Sequence, residues 1–122
     1  MSAAASKRRV LFVEDEPALR KSYERFFAAR YELAFAGTGA EGLRRLGEFA
    51  PHVLVLDLRL PDTDGIALLQ TIRRSHPTLP VVVTTAYVSM EPLISVLKLE
   101  HSAYLVKPYD LNDLAARIDA AG

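Results

Sequence analysis

Acidic residues stand directly after two short apolar stretches of this sequence. Glu14 and Asp15 follow one stretch, and Asp57 follows another. Three carboxylates lying close together would repel one another, and a hard divalent cation such as Mg²⁺, which prefers carboxylate oxygens and water, would neutralise them. An aspartate carboxylate can also act as a nucleophile. Asp57 is the strongest candidate, because a charge at the end of an apolar stretch is costly unless it is paired.

A lysine and a hydroxyl group at the ends of two further apolar stretches complement these acids. Lys107 follows one stretch, and Thr84 and Thr85 close the other. A cation, an ammonium group and a hydroxyl around one carboxylate suit the binding of a phosphoryl group. Taken alone, the acids could be helix caps, the lysine a solvated loop residue and the threonines partners of the backbone, so the hypothesis depends on all of them meeting in one place. Asp62 and Asp64 are interpreted only as loop and helix-cap residues.

Apolar stretches and helical patterns alternate along the chain and predict the elements that must bring these residues together. Strands are predicted at residues 10–13, 31–36, 53–56, 81–83 and 103–106. Helices are predicted at residues 17–29 and 40–49, after Gly65, from about Pro92 and after the capping residue Asp110. From the first two helices, the residues expected to face the core are Leu19, Tyr23, Phe26, Phe27, Leu43 and Leu46. Three of the strands are apolar throughout, which is typical of a parallel sheet covered by helices on both faces, so the chain is predicted to be an α/β fold with a doubly wound five-stranded parallel sheet and five helices.

The predicted topology brings the polar residues to one edge of the sheet. Ligands of an open parallel sheet bind beyond the carboxyl ends of its strands. In the flavodoxin-like strand order 2-1-3-4-5, the first and third strands are neighbours. Glu14, Asp15 and Asp57 would then share one pocket, and Lys107 would point back to it from the far end of the sheet.

Composition narrows the class of protein. The sequence has 122 residues, no cysteine, and 15 basic residues against 15 acidic ones. Zero net charge disfavours direct nucleic-acid binding, and the absence of cysteine excludes disulfides and thiolate metal sites. No apolar run approaches the length of a membrane span, and the start of the chain lacks the apolar segment of a secretory signal. We expect a cytoplasmic protein with a flexible leader at residues 1–7 and a single domain at residues 8–121.

Four motifs, taken in order, resemble those of the receiver domains of bacterial two-component response regulators. They are FVEDEP at residues 12–17, VLDLRLPDTDG at 55–65, VVTTA at 82–86 and YLVKPY at 104–109. The resemblance extends from about residue 8 to residue 120. Each motif alone is weak, but their combination and order are highly specific.

The resemblance implies a role for each residue of the predicted pocket. Asp57 would be the phosphoacceptor, and Lys107 would pair with the phosphoryl oxygens. The ligands of Mg²⁺, or of Mn²⁺ in its place, would be Glu14, Asp15, Asp57 and the backbone carbonyl of Arg59. Thr85 would donate its hydroxyl to the phosphoryl group, and Tyr104 would be an aromatic switch that turns inward when Thr85 moves. The bond between Lys107 and Pro108 is a candidate cis peptide.

The resemblance also implies partners. A histidine kinase or a phosphotransfer protein would supply the phosphoryl group. The face formed by the fourth helix, the fifth strand and the last helix would then change and control an output domain or a downstream protein. A homodimer formed on phosphorylation is compatible with this scheme. The domain would catalyse its own phosphorylation and dephosphorylation rather than act as a conventional enzyme, and no contact with nucleic acid or membrane is expected.

The sequence departs from the family pattern before the fifth strand. Glu100 and His101 stand where the family usually has a Gly-Ala pair, and Pro92 stands where the fourth helix should begin. Either the switch or partner binding is modified here, or the loop is a tolerated variant. Arg59 and Tyr87 are bulky residues at positions that flank the path of the hydrolytic water in the family, which predicts slow autodephosphorylation.

Three other functions compete with this interpretation. A pseudo-receiver would keep the fold as an interaction module with little or no phosphorylation. An aspartyl-phosphate hydrolase needs a second aspartate two residues after the nucleophile, where this chain has Arg59. A flavin or nucleotide binder is disfavoured because the sequence has no P-loop motif. The cognate kinase, the signal and the type of output stay open, as does the choice between a stand-alone regulator and part of a longer one.

Overall fold

Runs of aliphatic residues form the strands of one parallel sheet in the computed structural model of the chain, which describes residues 7–86 and 103–121. The strands are β1 (Arg8–Val13), β2 (Tyr31–Ala36), β3 (Val53–Asp57), β4 (Val81–Thr85) and β5 (Ala103–Val106). The helices within the described residues are α1 (Pro17–Phe27), α2 (Gly39–Phe49), α3 (Gly65–Ser75) and α4 (Leu111–Ala120). The strand order is β2-β1-β3-β4-β5, which confirms the predicted fold class and strand order. Most of the predicted leader and the helix predicted from about Pro92 lie outside the described residues.

The register of the sheet aligns the ends of its two central strands. In the pairing of β1 with β3, Val13 lies opposite Leu56. In the pairing of β3 with β4, Asp57 lies opposite Thr84. Because all pairs are parallel, the residue after Val13 and the last residue of β3 reach the same edge of the sheet.

Each face of the sheet carries its own hydrophobic cluster. The cluster that involves α2 and α3 contains Leu11, Val13, Leu46, Leu56, Leu69, Ile72 and Val83, among others. The cluster that involves α1 and α4 contains Val10, Phe12, Tyr23, Phe27, Val55, Leu114 and Ile118, among others. Alternate residues of one strand therefore enter opposite clusters, as the pleat requires, and both faces of the strands are covered.

Polar side chains and a proline fix the starts of the helices. Pro17 occupies the first turn of α1, where the missing N–H costs nothing. The side chain of Thr38 caps α2, Asp64 caps α3 and Asp110 caps α4 by accepting hydrogen bonds from backbone amides. The predicted capping roles of Asp64 and Asp110 are confirmed.

Two residues predicted to face the core lie largely at the surface. Phe26 is 37% exposed and Leu43 is 38% exposed. The buried stripe of α1 runs through Tyr23 and Phe27, and Phe26 lies about 100° around the helix from Phe27. It packs edge-on against the Phe27 ring, with centroids 4.9 Å apart. On α2 the buried stripe passes through Leu46 and two glycines, which leaves Leu43 beside the groove between α2 and α3.

Candidate functional site

The carboxyl ends of β1, β3 and β5 bring two carboxylates and an ammonium group together. The Nζ of Lys107 donates hydrogen bonds to Oε1 of Glu14 and to Oδ2 of Asp57, each at 3.0 Å. The side chains of Glu14 and Asp57 are only 2% and 4% exposed, and that of Lys107 is 21% exposed. Residues far apart in the sequence thus form one buried ionic cluster at the predicted edge of the sheet.

Backbone amides hold the other oxygen of each buried carboxylate. The amide of Arg59 donates to Oδ1 of Asp57 at 3.0 Å, and the amide of Glu16 donates to Oε2 of Glu14 at 3.2 Å. Each carboxylate therefore has a partner on both oxygens, which offsets part of the cost of burying it. The two groups are fixed in orientation, since each is held from its own loop and by Lys107.

The electrostatics of the cluster favour additional positive charge. Burial and the neighbouring charge of Asp57 raise the pKa of Glu14 to about 7, although Lys107 and the amide of Glu16 act in the opposite direction. Burial disfavours the ammonium of Lys107, but its hydrogen bonds to Glu14 and Asp57 outweigh this and raise the pKa of Lys107. One lysine does not fully compensate the two buried acids.

A third carboxylate joins this cluster from the loop after β1. One carboxylate oxygen from each of Glu14, Asp15 and Asp57 lies within 4.8 Å of the others, and Asp15 is exposed to solvent. When ionised, these three groups and Lys107 carry a net charge of −2. A set of carboxylate oxygens with excess negative charge fits a hard divalent cation such as Mg²⁺ or Mn²⁺, so the three residues could hold a metal ion.

Comparison with known proteins identifies the family. Residues 10–119 match the response regulator receiver domain family. The chain belongs to this family. NtrC, a DNA-binding transcriptional regulator of Escherichia coli (strain K12), is 35% identical over 113 residues, which are 92% of this chain and 24% of that protein. The transcriptional activator protein PfeR of Pseudomonas aeruginosa is 38% identical over 113 residues, which are 92% of this chain and 37% of that protein.

A solved receiver structure supports the same assignment. The CheY-like receiver domain protein of Methanospirillum hungatei JF-1 has a TM-score of 0.85 and 30% sequence identity, and the match covers 93% of this chain and 92% of that one. The two curated relatives are longer proteins, and the chain spans less than half the length of either. Among residues 7–86 and 103–121, no helix of this receiver domain has the length and apolar character needed to cross a membrane.

Thr85 and Tyr104, which were also singled out in the sequence, lie on β4 and β5. Thr85 is fully buried, and its carbonyl accepts a hydrogen bond from the amide of Lys107 at 2.7 Å. Tyr104 is half-buried and packs against the hydrophobic cluster that involves α2 and α3. The peptide bond between Lys107 and Pro108 is cis, as predicted. The Tyr87 side chain and the departures at Pro92, Glu100 and His101 lie outside the described residues of this receiver domain.

Sequence reasoning missed two contacts between distant residues. The hydroxyls of Tyr23 and Tyr109 hydrogen-bond to each other. The carboxylate of Asp62 caps α2 from another loop, accepting from the amides of Gly39 at 2.7 Å and Ala40 at 3.0 Å. Those amide hydrogen bonds lower the pKa of Asp62. The only signal for the first feature was the chemistry of tyrosine, because a buried phenol usually finds a hydrogen-bond partner.

Proposed function

We propose that Asp57 of this receiver domain accepts a phosphoryl group in a reaction that requires Mg²⁺ or Mn²⁺. One observation carries the proposal: the buried Asp57 carboxylate is held 3.0 Å from Lys107 Nζ in a cluster with two further carboxylates. A carboxylate that is buried and held beside an ammonium group can act as a nucleophile. The surrounding charges suit phosphoryl transfer.

The contacts of Asp57 suggest how the transfer proceeds. An oxygen of the carboxylate attacks the phosphorus in line, and the bond from phosphorus to the donor breaks as the new bond forms. That bond is P–N in a phosphohistidine donor and P–O in acetyl phosphate. The amide of Arg59 keeps the carboxylate oriented, and the ammonium of Lys107 neutralises negative charge on the phosphoryl oxygens.

The same residues would hold the metal ion. Glu14, Asp15 and Asp57 would supply carboxylate oxygens, and the backbone carbonyl of Arg59 would complete the protein ligands. When bound, the ion would neutralise charge on the phosphoryl oxygens and orient them. Glu14 and Asp15 thereby have a role distinct from that of Lys107, which carries a single charge and cannot balance the cluster alone.

The signal would be read through residues beside the cluster. By the alternation of β4 and β5, Thr85 and Tyr104 belong to the same face of the sheet, since Val83 pairs with Tyr104 and Thr85 with Val106. Thr85 would donate its hydroxyl to the phosphoryl group, and Tyr104 would turn inward as Thr85 moves. This would bias a two-state equilibrium on the surface that includes β5 and α4.

Partners follow from this scheme. A histidine kinase or a phosphotransfer protein would supply the phosphoryl group, and an output domain or downstream protein would read the changed surface. NtrC and PfeR are named as regulators of transcription, which makes transcription the output we propose for the protein to which this domain belongs. Phosphorylation would also promote homodimer formation if that surface is self-complementary.

The proposal is tested by intact mass spectrometry. The protein is incubated with acetyl phosphate and Mg²⁺, and we expect the added mass of one phosphoryl group. The adduct should be absent in Asp57→Asn and in the presence of a chelator, but present in Asp113→Asn, which changes an exposed aspartate at the start of α4. An equal adduct in Asp57→Asn would contradict the assignment of the phosphoacceptor. If the wild-type protein gains no mass from either acetyl phosphate or a phosphohistidine donor, the pseudo-receiver alternative is correct.

A further inference from the structure

Three hydroxyl-bearing side chains, those of Tyr23, Thr84 and Tyr109, lie close to the ionic cluster. Tyr23 is fully buried and Thr84 is 1% exposed, while Tyr109 is partly buried. The Tyr109 hydroxyl hydrogen-bonds with the Tyr23 hydroxyl, and the side chain of Thr84 lies beside it. This hydrogen bond joins α1 to the loop that follows β5, and Thr84 places the contact beside β4.

This hydroxyl contact lies next to the residue that holds Asp57. Tyr109 comes two residues after Lys107 in the same loop, and the amide of Lys107 is bound to the carbonyl of Thr85. On the other side, Thr84 pairs with Asp57 in the register of the sheet. The loop carrying Lys107 is thus held to β4 by the backbone amide of Lys107 and to α1 by the side chain of Tyr109.

The hydroxyls are not needed to fill space. The Tyr23 ring stacks on Phe12 with centroids 4.8 Å apart, and a phenylalanine would make the same ring contact. Burying a phenol is unfavourable unless its hydroxyl finds a partner, so an apolar side chain would serve packing at least as well. What the hydroxyls add is direction, because a hydrogen bond fixes the position of the loop more narrowly than apolar contact does.

Lys107 is a residue for which such fixation matters. Its ammonium sits on a flexible four-carbon stem, yet it must reach both Glu14 and Asp57 at 3.0 Å. A small displacement of a positioned group lowers the rate of a reaction strongly. We propose that Tyr109 is a positioning residue for Lys107, acting through its hydrogen bond to Tyr23. The effect on phosphoryl transfer rests on the proposed function, whereas the effect on the position of Lys107 does not.

The first test measures the position of Lys107 without phosphorylation. An amine-reactive acetylating reagent is applied to the protein, and peptide mass spectrometry gives the acetylation rate of Lys107 relative to that of Lys21, which is exposed on α1. We expect Tyr109→Phe and Tyr23→Phe each to raise this ratio by roughly fivefold, the factor for losing one ordinary hydrogen bond. The matched control is Tyr31→Phe, which removes the hydroxyl that bonds to Asp119 at the amino-terminal end of β2, and it should leave the ratio unchanged.

The second test asks whether the tyrosine acts through the lysine. We expect Tyr109→Phe to lower the rate of phosphorylation by acetyl phosphate by roughly fivefold in the wild-type background and to have no further effect in a Lys107→Ala background. Thermal unfolding of each variant confirms that it is folded. An equal rate loss in both backgrounds would overturn the proposal, as would an unchanged acetylation ratio. If the ratio rises but the wild-type protein accepts no phosphoryl group, the proposed function fails and the positioning of Lys107 stands.

Discussion

The Nζ of Lys107 lies 3.0 Å from Oδ2 of Asp57, although the two residues are 50 positions apart in the sequence. The same ammonium is shared with Glu14, so one cation is the partner of two buried carboxylates. Such a shared arrangement stabilises the protein only as long as the lysine stays in place, because a buried charge left without its partner is strongly unfavourable. It also leaves the cluster ready to accept a further cation.

Replacing Lys107 with methionine should destabilise the metal-free protein and increase its response to Mg²⁺. The variant keeps a side chain of similar length but leaves Glu14 and Asp57 without their ammonium. We expect the free energy of unfolding in a chelator to fall by about 1–3 kcal/mol, and added Mg²⁺ to stabilise the variant more than the wild type. Urea denaturation with and without Mg²⁺ measures both effects. Lys21→Met, at an exposed position, is the control, and an equal loss in that variant would show that the buried pairs contribute nothing.

The stability of the metal-free domain should decrease as pH rises toward neutrality. The pKa of Glu14 is raised from 4.5 to about 7 in the folded protein by burial and by the charge of Asp57. Between these values the folded state binds more protons than the unfolded state, so this contribution to stability is fully present below pH 4.5 and is lost as pH rises through about 7. The loss should be on the order of 1–3 kcal/mol.

The variant Glu14→Gln isolates this effect, because its side chain stays neutral at every pH. Urea denaturation in a chelator at mildly acidic and mildly alkaline pH should show a smaller decline for Glu14→Gln than for the wild type. The exposed residue Glu24 provides the control variant Glu24→Gln, which should keep the wild-type dependence. The same decline in all three proteins would rule out Glu14 as its source.

The residues that meet at the carboxyl ends of the strands could be predicted from the sequence, because a parallel sheet brings the ends of neighbouring strands to the same edge. Once β1 and β3 are neighbours, Glu14 and Asp57 must reach the same edge, since Val13 and Leu56 are paired. The apolar character of the strands and their alternation with helices were sufficient for that step. The position of Lys107 at the same edge then followed from its place after β5.

Contacts between different elements were beyond the reach of sequence patterns. Tyr23 and Tyr109 are 86 positions apart, and periodicity indicates that Tyr23 faces the core without showing which polar group it meets there. Asp62 was interpreted as a loop residue, but it caps α2 at Gly39, 23 positions away. Such pairs depend on how the helices and loops pack against the sheet. The spacing of residue types along the sequence does not determine that packing.

Two glycines should respond to alanine in opposite directions. A Cβ on Gly65 would lie 2.3 Å from Cα of Leu58 and 2.4 Å from its carbonyl oxygen, and backbone atoms cannot move aside as a flexible side chain can. A Cβ on Gly47, in the exposed part of α2, meets no atom within 4 Å. We expect Gly65→Ala to lower the free energy of unfolding by about 1–3 kcal/mol or more, and Gly47→Ala to raise it by about 0.5–1 kcal/mol. Urea denaturation measures both, and a stable Gly65→Ala protein would show that the loop after β3 can move away from α3.

The lifetime of the phosphorylated state should depend on Arg59. The Arg59 residue is exposed, two positions after Asp57, while its amide is bound to the Asp57 carboxylate. A bulky side chain there would obstruct the water that hydrolyses the acyl phosphate. Arg59→Ala keeps the amide and removes the obstruction, so we expect the phosphorylated protein to decay several-fold faster, and faster still with Tyr87→Ala added. The decay is followed by intact mass spectrometry after removal of acetyl phosphate, with Arg25→Ala on the exposed side of α1 as the control. Unchanged decay in both Arg59→Ala and the double variant would contradict the prediction, because neither side chain would then limit the access of water to the acyl phosphate.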